Sequence, residues 1–338
     1  MCDIWTGQAS DPALDRRPMA RLSTKPALNA KTPASPADAI AQGIALRIAA
    51  AGLFSVMSAL LKLASTDHVT APELVFYRGL FGLPVVLIWV LTTQGLHTLK
   101  TERPGAHVFR SVLGITGIML NFQALTMLSL ADATTIGFTA PIFATLLSGL
   151  ILKEAVGKHR WAAVLLGFVG VAVVLGVGPG GGHLAPSLAG AAVGLMGALG
   201  TASVTITLRQ LKDTEHVAAI VFWFFVAQIL VAGLLLPIFG SWHGPKILAL
   251  LAAGAMAGAL AQICMTASLR NAPVSVIAPF DYLQIVGAVI FGWWLLHSTP
   301  SLNTLAGGAL IAASGLYTVW REHVRRRDRL IQPNSPPL

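Results

Sequence analysis

Charge is scarce in this chain. Of its 338 residues only 11% are Asp, Glu, Lys or Arg, where a soluble domain carries about 25%. Acidic groups are fewest, 14 against 23 basic ones. Cysteine is almost absent: Cys2 and Cys264 stand alone in unrelated surroundings, so neither a disulfide-stapled secreted module nor a thiolate metal centre is supported, and both read as free thiols. Catalytic motifs are missing too. There is no His-Glu-x-x-His pair, no phosphate-loop lysine after the Gly-rich stretch at 178–182 and no Gly-x-Ser-x-Gly elbow, which counts against zinc hydrolysis, nucleotide hydrolysis and acyl transfer.

What the chain has instead is apolar length. Hydrophobic residues make up 55% and glycines number 33, with a mean hydropathy of +0.72. Runs near the about 20 residues of one bilayer crossing recur from residue 43 onward. Ten are expected, at 43–63, 72–92, 106–127, 132–152, 159–177, 187–208, 216–238, 245–268, 274–296 and 302–320. Three of the divisions rest on Asp132, Pro273 and Pro300, residues suited to a helix start. Residues 1–42 are polar and rich in Ala and Pro and read as a disordered cytoplasmic tail. No apolar run follows their basic residues before 43, so they are not read as a cleavable signal.

A net charge of +9 invites a nucleic-acid reading, but the placement of the charge opposes it. With the N-terminus inside, every Lys and Arg falls on the inner side except Lys62 and Lys246 outside and Arg78 within a span. Such a bias orients a membrane protein with both termini cytoplasmic, its basic ends meeting anionic lipid. The stretch 178–186 is then an outer linker between five spans and five, and an odd number of spans inverts the second half relative to the first. Each half holds a Pro-bearing span, a short polar turn and a Gly-rich span in the same order, at 131–174 and 274–319. Inverted repeats with a binding site near the midplane are a common construction of secondary transporters.

Phe76-Tyr77-Arg78, Ala131-Asp132-Ala133-Thr134, Ala140-Pro141, Lys153-Glu154, Ala278-Pro279-Phe280-Asp281-Tyr282 and Gly315-Leu316-Tyr317, in this order and spacing, resemble the EamA-type transporters of the drug/metabolite transporter superfamily. The resemblance covers 43 to about 322. It departs at Leu296-His297, where such proteins often carry a Gly-Glu pair. It implies an all-α bacterial inner-membrane carrier of small metabolites, with ten transmembrane helices as two inverted five-helix repeats (43–177 and 187–320) and a basic cytoplasmic tail at 321–338. It also implies no cofactor and no metal. The partners expected are a small-molecule substrate, the lipid bilayer, and a coupling proton or counter-solute. A passive channel or a membrane scaffold is the alternative, and an intramembrane enzyme a weaker one, since Asp281 lacks the second carboxylate of an aspartyl dyad.

Ionisable groups inside a membrane cost about 2.5–3.5 kcal/mol on insertion scales and therefore mark candidate sites. Arg78 and Asp281 qualify. Arg78 lies roughly 9 Å below the outer end of its span, near the depth of Asn121, and Asp281 roughly 10 Å in from the inner side, near Gln262. Two polar layers about 10 Å apart along the axis suggest a wet cavity rather than a direct ion pair between them. Asp281 reads either as a proton or substrate-amine site or as a partner for backbone freed by Pro279. Arg78 reads as a cavity or gate group or as a packed, snorkelling one. Trp223, Phe280 and Tyr282 complete the candidate substrate site with Arg78, Asn121, Gln262 and Asp281. Gln123, Gln228 and Gln284, and as an alternative to a site role Asn121 and Gln262, read as contacts between helices, Trp161, Trp242, Trp293, Trp294 and Trp320 as interfacial anchors, and Lys62 with Glu73 as an outer pair of little worth.

Overall fold

The computed structural model describes residues 36–101, 104–151, 158–176, 187–211 and 216–331. The tail before residue 36, Lys153-Glu154, the 178–186 linker and the residues after 331 lie outside the described residues. All the elements below belong to one unit, Pro36–Leu338.

Among the described residues the chain is helical without strands. Helix α1 runs Pro36–Ser65, α2 Ala71–Trp89, α3 Pro104–Met127, α4 Leu130–Gly137, α5 Ala140–Ile151, α6 Lys158–Val174 and α7 Leu188–Leu211. They are followed by α8 Val217–Gly233, α9 Leu236–Phe239, α10 Pro245–Asn271, α11 Val274–Ile277, α12 Leu283–Leu296 and α13 Leu302–Ile331. Eight helical segments are long and apolar enough to cross a membrane, and Trp161–Val174 and Ala218–Gly233 are shorter apolar helices. Their outward faces carry Ile88, Leu150, Leu165, Leu230 and Ile290, all exposed, an apolar surface that suits lipid and would be a liability in water. The tryptophans expected as anchors are likewise exposed.

Several boundaries differ from the expected spans. Helix α1 begins at Pro36 rather than 43, because Ala-rich 37–42 contains no breaker and proline is tolerated in a first turn. Helix α13 continues through the basic segment to Ile331, so 321–331 is helix and not tail; Arg and Leu sustain a helix, and the next proline is Pro333. The span at 216–238 is interrupted after Gly233 and resumes as the short α9.

Two further spans are broken, both at proline. Residues 130–151 divide at Phe138 and Thr139, whose N–H groups bond to Thr134 and Ile136 in a tightened turn before α5 begins at Ala140-Pro141. Residues 274–296 divide around a 3₁₀ turn, Ala278–Tyr282, between α11 and α12. Pro141 and Pro279 have no N–H to continue the preceding ladder. Pro84, by contrast, sits inside an unbroken α2, which ends in a single π turn, Val90–Gln94, and the left-handed Gly95 (φ 81°). The two broken spans pack against each other through α4 and α12.

Close helix contacts depend on small residues. At the crossing of α3 and α7 a Cβ added to Gly200 would stand 2.7 Å from Gly117 Cα, backbone against backbone. Gly200→Val is expected to destabilise the bundle by about 1–3 kcal/mol, as overpacking does, seen as a lower midpoint of thermal unfolding in detergent.

Contacts between helix ends fall into two sets. In the first, Lys62 Nζ donates to the Leu125 carbonyl at 2.8 Å, Glu73 accepts from Ser241 and His243, and Asp132 accepts from the Thr304 hydroxyl. In the second, Arg47 meets Asp281, Arg270 donates to Gln94 at 3.4 Å, Trp223 to the Leu99 carbonyl, and His159 shares a hydrogen bond with Tyr317. Helices α1, α2, α10 and α13 each contribute one end to either set, so the two sets occupy opposite ends of the bundle.

Candidate functional site

The Pro279 break turns two side chains of the 3₁₀ segment, Asp281 and Tyr282, toward a cavity of about 130 Å³. The opposite wall is the other break: Phe138 and Pro141, with Ile142 and Thr145 following on α5, while α6 and α13 close the sides with Val164 and Thr318. Tyr282 packs on Phe138 with ring centroids 5.1 Å apart. Its phenol lies where a Cβ on Gly315 would sit, so the glycine of the Gly-Leu-Tyr motif makes room for a cavity wall. Ser314 is buried and donates to the Ala163 carbonyl at 2.6 Å, tying α13 to α6. Among the described lining residues Asp281 is the one charged group; the remainder is apolar or hydroxyl-bearing. Chemically this is a slot for an apolar or aromatic body with a single carboxylate at one edge.

Asp281 is ion-paired, though not to Arg78. Arg47 on α1 donates from Nε to Oδ1 at 2.6 Å and from Nη2 to Oδ2, a bidentate pair. Arg47 read in the sequence as one more inner-side charge. The structure buries it, and a buried guanidinium needs an acceptor in fixed geometry, which the carboxylate supplies. Among the described residues it is Arg47, and no backbone N–H, that donates to the Asp281 oxygens.

Arg78 stands elsewhere. It is 4% exposed, donates to Gln228 Oε1 on α8 at 2.7 Å and lies over the Phe225 ring at 5.0 Å, with Gly258 of α10 close by. An amide oxygen and an aromatic face hold its charge in place of a carboxylate. It does not line the cavity. Asn121, expected beside it, bonds instead across the α3–α7 contact, to the Gly197 carbonyl at 3.3 Å and to Thr201 Oγ1 at 3.1 Å. The two belong to different helix contacts. Trp223 is part-exposed, its indole N–H on the Leu99 carbonyl at 3.0 Å. Gln262 and Phe280 are half-buried and absent from the cavity wall. Of the seven residues singled out in the sequence, Asp281 and Tyr282 are brought together here.

Three buried groups escaped sequence reasoning. Arg47 is one. Arg110 is another, near the start of α3, its guanidinium 4.5 Å over the Phe224 ring. The third is Glu73. The expected Lys62–Glu73 pair does not form, because Lys62 is taken by the Leu125 and Thr126 carbonyls. Glu73 is 1% exposed and accepts from the Thr70 N–H and hydroxyl, the Ser241 N–H and His243 Nε2, at 2.7–2.9 Å. The Thr-x-x-Glu spacing at 70–73 is a helix-start signal and accounts for the Thr70 contact; nothing in the sequence points to residues 241 and 243. Among the described residues no three His, Cys, Asp or Glu side chains gather as a metal site would require.

Comparison with known proteins agrees with this architecture. The profile of the EamA-like transporter family matches the chain twice, over residues 41–176 and 188–320. The chain is 29% identical to the pseudopaline exporter CntI of Pseudomonas aeruginosa (strain UCBPP-PA14) over 82% of its own length and 95% of that protein. It is 26% identical to the S-adenosylmethionine uptake transporter of Rickettsia conorii, over 74% of its own length and 83% of that protein. A crystal structure of a protein 20% identical superposes with a TM-score of 0.59, covering 85% of this chain and 98% of the other, and shows a shared fold.

Proposed function

The chain belongs to the EamA-like transporter family and is a multi-pass integral membrane protein, and from that premise we propose that it is a secondary carrier of a small organic metabolite. It works by alternating access between inverted halves, residues 43–177 and 187–320, joined by the linker 178–186. The substrate class the cavity favours is an organic amine with an apolar or aromatic body. One observation carries this: the sole charged group in the described cavity wall is the Asp281 carboxylate, delivered by a helix broken at its proline. Discontinuous helices that present polar groups inside a bundle are how secondary transporters build substrate sites. The drive is exchange for a second solute or an ion gradient, with Asp281 the group placed to carry a proton.

Ten crossings and the inverted repeat are supported by two features. End contacts alternate between the two sides of the bundle as ten crossings demand. The helix pairings also survive exchange of the halves: α1 with α10 and α12 corresponds to α7 with α3 and α5, α2 with α10 corresponds to α8 with α3, and the pairs α2–α8 and α6–α13 map onto themselves. Basic residues on the α1 start, the 94–110 connection and the α13 end favour the bacterial inner membrane with both termini cytoplasmic. The cavity then lies in the inner half. Relatives named for export and for uptake leave direction to the driving gradient.

Thermal stabilisation in detergent tests the site. Phenethylamine is expected to raise the unfolding temperature, by the equivalent of about 2.7 kcal/mol at a hundredfold excess over its dissociation constant. Phenylethanol, the same body without the ammonium, is not. Equal shifts from both, or an amine shift that persists in Asp281→Asn, would remove the carboxylate from the account.

A further inference from the structure

Asp281 is already occupied. Arg47 holds both of its oxygens, and the pair spans two elements that alternating access has to separate: the inner end of α1 and the broken ninth span. Its two members differ in setting. The Arg47 side chain is 10% exposed and its Nη1 has no partner among the described residues, whereas Asp281 is 27% exposed and forms part of the cavity wall. From the cavity a ligand therefore meets the carboxylate, with the guanidinium behind it.

We propose that Arg47 is a tethered stand-in for the transported amine, pairing with Asp281 when the carrier is empty and displaced when a substrate ammonium arrives. This rests on the reading of the cavity as an amine site and adds how the empty carrier returns. A bare carboxylate inside a low-dielectric bundle is costly. With substrate bound, the ammonium neutralises it. With no substrate, the guanidinium does the same, so in neither form does the carboxylate reorient uncompensated. No other charged group lines the described cavity; the ionisable neighbour of Asp281 in its own turn is the Tyr282 phenol.

Two consequences separate this role from a structural one. An internal competitor lowers the apparent affinity for substrate, because the ligand has to shift an occupied site; removing it raises affinity. The competitor is also needed only by the empty carrier, so its removal stops net movement while exchange of one amine for another continues. A structural tie between α1 and the 3₁₀ turn predicts the reverse for affinity and equal losses of both fluxes.

The test uses the full chain in proteoliposomes with radiolabelled phenethylamine and the same pH on both sides. In Arg47→Gln the half-saturating concentration for exchange is expected to fall about tenfold and net efflux into amine-free medium to fall about tenfold or more, with maximal exchange retained. Arg47→Lys, which keeps the tethered charge, is expected to restore net efflux toward wild type. Retained exchange also shows that the variant is folded. Weaker binding in Arg47→Gln, joint loss of exchange and efflux, or an unchanged ratio of the two overturns the tethered-cation role and leaves the amine site standing. A wild-type protein that neither binds nor exchanges the amine overturns the amine site and this role with it.

Discussion

Replacing Asp281 by Asn is expected to reduce exchange of organic amines by roughly a hundredfold or more. The substrate ammonium loses the one counter-charge in the described cavity wall, and a charge-assisted contact shielded from water is worth about 3 kcal/mol, or two orders of magnitude in affinity. The single substitution has a second effect, since it leaves the Arg47 guanidinium buried without a charged partner, a loss in the range of about 3–5 kcal/mol when a buried pair is broken outright. The double variant Arg47→Gln/Asp281→Asn separates the two. With both charges gone the stability is expected to return toward wild type, because a buried pair replaced as a unit is often near neutral. Amine exchange is not expected to return. Measured together, unfolding temperature and exchange rate in the single and double variants assign the transport loss to the carboxylate rather than to a damaged bundle. Exchange that recovers in the double variant would contradict the site.

Glu73→Ala is expected to cause the largest loss of stability at the other end of the bundle, about 3 kcal/mol or more. Four donors converge on this carboxylate: the Thr70 N–H and hydroxyl, the Ser241 N–H and His243. A buried donor left without an acceptor costs about 1–3 kcal/mol, and Glu73 is 1% exposed, so water does not replace it. The same group fixes the α2 start to the 240–244 connection, so its loss frees that connection as well as the helix end. His243→Ala removes one donor and leaves the others satisfied, and is expected to cost about 1 kcal/mol. Unfolding temperatures in detergent, ranked wild type above His243→Ala above Glu73→Ala, check the order. A Glu73→Ala protein as stable as wild type would show that the convergence of donors contributes nothing.

Much of the architecture is legible from composition and pattern because lipid leaves few options. Apolar runs of crossing length, basic residues on alternate connections and paired Pro-bearing spans each report a one-dimensional property of the chain. Local signals also carry: Thr70 with Glu73 marks the start of α2, Ser129 with Asp132 the start of α4, and Pro141 and Pro279 mark the two breaks. The sequence lists charged residues but not their partners. Arg47 and Asp281 are 234 residues apart and Arg78 and Gln228 150, and a pair at such separation has no period or spacing to betray it. Arg47 was hidden for a further reason, since a basic residue near an inner helix end satisfies the orientation rule whether it faces lipid headgroups or a buried carboxylate. Of the two readings open to Asn121, site group and contact between helices, its bonds across α3 and α7 are those of the second. Equal depth with Arg78 suggested a shared layer, but depth says nothing of which face of a helix a side chain leaves, and Asn121 leaves toward α7.

Counterflow tests the central claim most directly. Proteoliposomes loaded with unlabelled phenethylamine are diluted into a trace of labelled amine, and the internal label is followed in time. A carrier that alternates between sides through one saturable site predicts a transient accumulation of label above its external concentration, followed by decay, absent from Asp281→Asn vesicles. Simple equilibration without overshoot would describe a channel, and no protein-dependent entry would remove the amine from the account; either result contradicts a carrier working through the Asp281 cavity.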